Sequence, residues 1–503
     1  MESNGLGGIR TRGLFVANET RYCCATSPYR DRLINSIYIL CLINLNMGKT
    51  GNGSLDKIFD RVLKDIKPSD SEIADITYRV NELMGALASI VPKDVTLRVA
   101  GSMARGTNLK GTADVDIFML FDKKMDREKA VKQGLEYGKA LLKGRKGKFE
   151  IKYAEHPYLR LYLDSLGIKA DIVPAFKIDD VSQMGTTVDR TPLHTEFINS
   201  NLSKRQRDEV RLLKYLLKAH GIYGAEVKTN GFSGYLCELM IHNYGSLMGF
   251  LQAASKFRLP VLIEPKSKRE SDGSMASKRF NSQFVVIDPV DSDRNVAAGV
   301  SLESLGRLVI IAREFVQKPD IKLFYGHGFS DSNARKIVSN LSKEAGLDTF
   351  LIVSRVPDKS EDVIYPQLRK VSGQILRHLE QNGFNAYFVT QFISEREGII
   401  FMAAPKQQIR SRMVRGPSAF IPGATAAFMK KHSKSLGFVM NGTDLYSLEK
   451  TDVATVEEAL RNLPKAVLVH KDINLRNAKI SVNKVAPDYA ILLYAELQRK
   501  IFI

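Results

Sequence analysis

The chain predicts an α+β protein of several domains: a head built on a mixed sheet with helices, a helical central domain, and an α+β C-terminal body and tail. Three observations predict it. At 503 residues the chain is too long for one core and divides into roughly two to four domains. Strand-like apolar runs recur between residues 95 and 176, with helical periods before and among them. A long, mostly helical region comes next, and then a β-α-β-β order between 349 and 404 that predicts a split βαβ, ferredoxin-like module. The expected domains are 47–195, 196–318 and 319–503, with the ferredoxin-like module at about 347–405.

Composition narrows the partner. With 44% hydrophobic and 26% charged residues the chain is ordinary for a globular protein, but a net charge of +19 is not. No long Lys/Arg tail carries the surplus, so it predicts a basic groove for a polyanion, either nucleic acid or an anionic membrane surface. The cysteines are Cys23, Cys24, Cys41 and Cys237. None is spaced with a histidine pair as a metal ligand, which fits a reducing compartment.

Residues 1–46 read unlike the rest. Leu33 to Leu45 is apolar, interrupted by Asn35 and Asn44, and too short to span a bilayer. No signal-peptide pattern is present. Met47 precedes a Gly-rich stretch and is the expected initiator, with 1–46 a mis-assigned start or a disordered extension.

From Ser54, apolar residues fall at helical spacing through Ile66, and Pro68 ends the run. A second helix carries Ile73, Ile76, Val80, Leu83, Leu87 and Ile90 on one face. Val95 to Ala100 reads as a strand, Gly101-Ser102 opens a small-residue turn, and a second strand runs from Ala113 to Phe121. Side chains alternate along a strand, so Asp114 and Asp116 face one way while Val115 and Ile117 face the other. Two carboxylates so close repel unless a cation lies between them, and a hard divalent ion such as Mg2+ takes oxygen ligands.

Lys123 to Leu142 reads as a helix, and Phe149 to Phe176 as further strands. Asp171 stands inside the apolar run 166–176, either as a helix or turn cap or as a third carboxylate of the same site, and its strand-like spacing favours the carboxylate. Arg205 to His220 is a helix with Arg207, Arg211, Lys214 and Lys218 along one face, placed to send a cation to phosphate. Ser233 is the expected N-cap of the next helix, Leu302 to Phe315 is helical again, and Pro319, Gly326 and Gly328 mark a boundary. Beyond 404 come basic segments around 408–415 and 430–434, and a terminal helix from Pro487.

Three such carboxylates fit a pair of Mg2+ ions, one lowering the pKa of an attacking hydroxyl and one holding a triphosphate. Gly101-Ser102 offers close backbone approach and a hydroxyl, and Arg105 a guanidinium for phosphate oxygens. No Gly-Lys-Ser/Thr loop is present, which disfavours a Walker-type NTPase.

Gly101-Ser102, Arg105-Gly-Thr107 and Asp114-Val-Asp116 resemble the signature of the polymerase-β-like nucleotidyltransferase superfamily. Asp189-Arg-Thr-Pro-Leu-His194, Glu209 to Lys214, Gly221 to Glu226, Gly231 to Glu238 and Asp288 to Ala297 look like the archaeal, class I CCA-adding enzymes, as do Tyr365-Pro-Gln-Leu368 and Gly416-Pro417. The resemblance runs from about Met47 to the end.

It implies a polymerase-β-like nucleotidyltransferase head and addition of C, C and A to the 3′ end of tRNA from CTP and ATP. It implies Asp114, Asp116 and Asp171 as catalytic, metal-binding carboxylates, and Ser102 and Arg105 as nucleotide contacts. Thr191, His194, Lys214 and Tyr223 would line the nucleotide and triphosphate pocket, with Arg294 near the base or primer end. A homodimer in the cytoplasm, with no membrane partner, completes the expectation. The alternatives are a poly(A) polymerase-like RNA nucleotidyltransferase and a non-catalytic RNA-binding protein.

Overall fold

A computed structural model describes residues 53–500 apart from 113, 144, 154–155, 165, 266–277 and 326–330. The expectations for residues 1–46, Met47, Ala113, Gly326 and Gly328 lie outside the described residues. The head sheet has five strands: β1 (Thr96–Ala100), β2 (Asp114–Phe121), β3 (Gly147–Tyr153), β4 (Pro157–Leu163) and β5 (Ile168–Phe176), in the order β1-β2-β5-β4-β3. Within this sheet only β2 and β5 run parallel to each other; the other pairings are antiparallel. That central pair is apolar on both faces, as a strand covered on both sides must be.

On one face, Val115, Ile117, Met119, Leu159, Leu161 and Ile172 form the head core with Val80, Leu83 and Leu87 of a helix at Asp70–Ala88. Ser69 caps that helix in a capping box with Glu72, whereas Ile73, expected on its buried face, is exposed. On the other face, Phe118, Leu120, Val173 and Ala175 pack together with Val188. Asp114 and Asp116 precede Phe118 on this second face, and Asp171 precedes Val173 there. The sheet therefore sets all three carboxylates on one edge of one side.

The crossover between β2 and β5 carries a helix at Arg127–Ala140, which lies against β4 and β5 through Gly134 and Gly138. A Cβ at Gly134 would stand 2.5 Å from Cγ and 2.9 Å from Cβ of Pro174, a rigid ring.

The second core is helical: Lys204–Ala219, Gly234–Tyr244, Leu247–Ala254 and Leu302–Gln317 bury Leu213, Leu217, Leu236, Phe250, Leu308 and Phe315. Val62 and Ile66 of the first described helix, Gly53–Ile66, join this core and not that of the head. Ser233 accepts the Leu236 N–H as the expected N-cap.

The C-terminal part holds a sheet of four strands, Leu347–Arg355, Phe388–Ser394, Glu397–Pro405 and Lys479–Val482. Lys479–Val482 lies beside Leu347–Arg355, and the order continues through Glu397–Pro405 to Phe388–Ser394. All pairings are antiparallel, so the sheet has ferredoxin-like order, and its fourth strand comes from well beyond 405. Helix Glu361–Gln381 covers it, with Pro366 inside. A three-stranded sheet (Ser411–Ser418, Asp444–Lys450, Gly437–Asn441) is inserted before that fourth strand. No described helix is long and apolar enough to cross a membrane.

Gly134→Ala gains about 1 kcal/mol of helix propensity but overpacks against Pro174 at a cost of about 1–3 kcal/mol. The variant is expected to unfold at lower urea concentration than the parent; an equal or higher midpoint contradicts the close approach.

Candidate active site

The register of two strands sets the site. Asp116 is the direct partner of Asp171 across the parallel β2–β5 pair, and Asp114 the partner of Lys169. On the other side of β5, Asp171 is paired with Arg160 of β4. Arg160 Nε and Nη2 donate to the two Asp171 oxygens at 2.7 and 2.6 Å, a two-pronged ion pair. Lys169 Nζ lies 3.0 Å from Asp114, which is largely exposed. Asp116 has no ion-pair partner among the described residues. Burial, and then the neighbouring Asp171 charge, push its carboxyl from 3.8 up to about 6.

After β1 comes a short helical turn, Gly101–Ala104, where the sequence reads as a plain small-residue turn. Gly101 has φ +75°, and a Cβ there would stand 1.9 Å from Asp116 Oδ2. Only glycine allows this backbone to touch the carboxylate. The Ser102 hydroxyl makes no hydrogen bond among the described residues, and the Ser102 carbonyl accepts the Thr107 N–H at 2.9 Å.

Arg105 and Lys214, expected to face phosphate, meet at Glu238. This fully buried carboxylate accepts from Thr107 Oγ1 at 2.5 Å and from Lys214 Nζ at 3.3 Å, and lies 2.8 Å from Arg105 Nε. Lys214 also donates to the Thr107 carbonyl at 3.1 Å, and Arg105 Nη1 to Thr195 Oγ1 at 3.4 Å. Burial pulls Lys214 down from its ordinary value, with Glu238 opposing it, and the two cations hold Glu238 low against its own burial. The cationic stripe is thus not a uniform solvated face. Arg211 is also buried, donating to the Asn108 carbonyl and to Asp208, while Lys218 stays exposed.

Tyr223 brings its hydroxyl to the same place. A Cβ on Gly234 would be 3.3 Å from that oxygen and 3.5 Å from Lys214 Nζ. Burial raises the Tyr223 hydroxyl well above its ordinary value, so it stays a neutral donor.

The third group gathers on Asp288, which is fully buried. His194 Nε2 at 2.9 Å, Tyr235 OH at 3.0 Å, Val290 N–H at 3.0 Å and Arg294 Nη1 at 3.0 Å all donate to it. The His194 ring stacks on Tyr235 with centroids 4.0 Å apart. Burial lowers the His194 pKa, so a neutral imidazole gives its Nε2–H to Asp288. Burial opposes the Asp288 charge, but the surrounding donors and Arg294 hold it down at about 2. Thr191 opens the helix that carries His194, Thr191–Asn201, and its carbonyl accepts from Thr195. Arg190, just before that helix, and Asp291 form a further ion pair between the same two segments.

The ten residues expected from the sequence therefore stand in three groups. Asp114, Asp116 and Asp171 share a sheet edge with Gly101-Ser102 against them. Arg105, Lys214 and Tyr223 converge near Glu238, and His194 and Arg294 converge on Asp288, with Thr191 one turn before His194. Sequence reasoning missed Glu238, Asp288 and Arg160 as organising groups. The available signal was a lone acid within an apolar run, Leu236-Cys-Glu-Leu-Met240.

The donor chemistry fits a hard divalent cation: oxygen ligands only, with one carboxyl raised by burial and by the charge of its carboxylate neighbour. Among the described residues no set of three ligands is already drawn together, and Lys169 and Arg160 pair with the outer two carboxylates.

Three family models match the chain. A nucleotidyltransferase domain matches residues 80–194, the second domain of tRNA nucleotidyltransferases matches 208–325, and the C-terminal domain of CCA-adding enzymes matches 346–473. The CCA-adding enzyme of Methanocaldococcus jannaschii is 32% identical, over 85% of this chain and 95% of its own. That of Methanothermobacter thermautotrophicus is 34% identical over 75% and 82%, and that of Archaeoglobus fulgidus 34% over 81% and 89%.

A raised carboxyl means that the folded state keeps a proton which the unfolded chain has already released. In chelator, the protein is therefore expected to lose about 1–3 kcal/mol of stability as pH rises from about 4 through about 6. Asp116→Asn removes that loss. Denaturation of both proteins across pH 4–8 checks it, and parallel stability curves contradict it.

Proposed function

The chain belongs to the CCA-adding enzyme family, and from that membership we propose how its site divides the work. The reaction is addition of C, C and A to the 3′ end of tRNA, with CTP and ATP as the nucleotide donors. The tRNA 3′ hydroxyl releases its proton to solvent as its oxygen forms a bond to the α-phosphorus, the bond from that phosphorus to the bridging α–β oxygen breaks, and pyrophosphate leaves with the electron pair. Membership of the family, with its matching C-terminal domain, disfavours both a poly(A) polymerase and a silent RNA-binding protein.

Asp114, Asp116 and Asp171 are assigned to a divalent metal, taken here as Mg2+. When bound, the metal supplies activation of the attacking hydroxyl and neutralisation of the leaving pyrophosphate. The observation that carries this assignment is Asp116 beside Asp171 in register, half-buried and without an ion-pair partner among the described residues. Ser102, Arg105, Lys214 and Tyr223 are assigned to the triphosphate. The supporting feature is charge: Arg105 and Lys214 share the single carboxylate of Glu238, so a buried positive charge is left for an anion.

Thr191 and His194 are assigned to the nucleotide pocket, and Arg294 to the base or primer end. Asp288 holds the His194 and Arg294 donors in fixed directions, and Arg294 remains partly exposed. Exposed Arg410, Lys430, Lys431 and Lys434 on the C-terminal part suit the tRNA backbone, whose A-form stems are recognised by shape and phosphate. Family resemblance alone extends the reading to a homodimer working in the cytoplasm.

Asp116→Ala and Asp171→Ala are each expected to slow transfer of CMP and AMP to tRNA at least about a hundredfold. Their affinity for tRNA should stay within about threefold of the parent, because backbone contacts from Lys and Arg dominate it. Incorporation at the parental rate by either variant contradicts the metal assignment.

A further inference from the structure

The two outer carboxylates already carry cations, and the two ion pairs are not equivalent. Lys169 reaches Asp114 through one ammonium, at a position where Asp114 is 68% exposed. Water competes there, and such a pair is easily released. Arg160 instead closes on both oxygens of Asp171, whose side chain is only 15% exposed. Those are the same two oxygens that Asp171 would offer to a metal. The pairing is also fixed from the backbone, because Arg160 and Asp171 are direct partners across the antiparallel β4–β5 ladder.

We propose that Arg160 is a resident counter-ion of the active site, a positioning residue that holds Asp171 in the metal-free protein and yields it when the metal binds. The proposal rests on the reading of Asp171 as a metal ligand. Its physical basis is competition: a guanidinium fork and a divalent cation seek the same carboxylate and repel each other. Without Arg160, Asp116 and Asp171 would stand side by side with no cation on either. With it, the metal-free sheet edge tolerates the pair, and the metal must displace an ion pair before it can be chelated. A group that stabilises only the metal-free state weakens metal binding by the same factor.

The test is Mn2+ alone, titrated into the full-length protein and followed by loss of the free-ion EPR signal. Arg160→Gln is expected to tighten Mn2+ binding about fivefold and to lower the melting temperature in chelator more than in saturating Mn2+. Arg160→Lys, which cannot make the two-pronged contact, should fall between parent and Arg160→Gln. Lys169→Gln should change the affinity by less than about twofold. Unchanged or weaker Mn2+ binding in both Arg160 variants overturns the proposal, as does an equal effect of Lys169→Gln, which would mean a general charge effect. Asp171→Asn separates the two layers. Mn2+ binding at parental strength in that variant removes the metal-site reading itself, and the proposal with it.

Discussion

Like-charge repulsion between Asp116 and Asp171 is the constraint on which the rest depends. The parallel register of β2 and β5 forces the two carboxylates to be neighbours, and partial burial of Asp116 reduces the water that would screen them. Several local features accommodate that pair. Gly101 lets the backbone lie against Asp116 without a side chain, Arg160 occupies Asp171, and Lys169 occupies Asp114. A sheet edge of this kind is costly in a metal-free protein and suited to one that receives a divalent ion.

The same logic recurs behind the carboxylates with opposite sign. Arg105 and Lys214 come from the head loop and from a central helix, and Glu238 on a second central helix draws both together. Asp288 does the equivalent for His194, Tyr235 and Arg294. Each buried acid joins a loop of the head or its adjoining helix to the helical core. Removing either would leave buried donors unpaired, so both hubs bind the fold together and aim the groups around them.

Much of this was legible in the sequence because strand alternation is a strict rule. It placed Asp114 and Asp116 on one side and Val115 and Ile117 on the other, and the apolar run around Asp171 marked a second buried strand. The cationic helix was harder. Helical spacing shows that Arg207, Arg211, Lys214 and Lys218 share a face, but not what lies opposite. Arg211 and Lys214 are buried against the 107–108 carbonyls because the head loop covers them. Glu238, Asp288 and Arg160 were hidden for a related reason: each acts through a partner distant in sequence. The ferredoxin-like sheet could be read for three strands only, since its fourth comes after an inserted sheet and is four residues long. Pro366 lies inside the helix Glu361–Gln381, past its first turn, where it withholds the N–H that the Asp362 carbonyl would accept.

CCA addition, the activity of this family, requires that the site choose between C and A as the primer grows. The most direct measurement is incorporation of single nucleotides into three tRNAs that end three, two and one residues short of the complete 3′ terminus. CMP is expected on the first two and AMP only on the third, with no extension beyond it. Repeated AMP addition to all three, without use of CTP, would contradict CCA addition by this site.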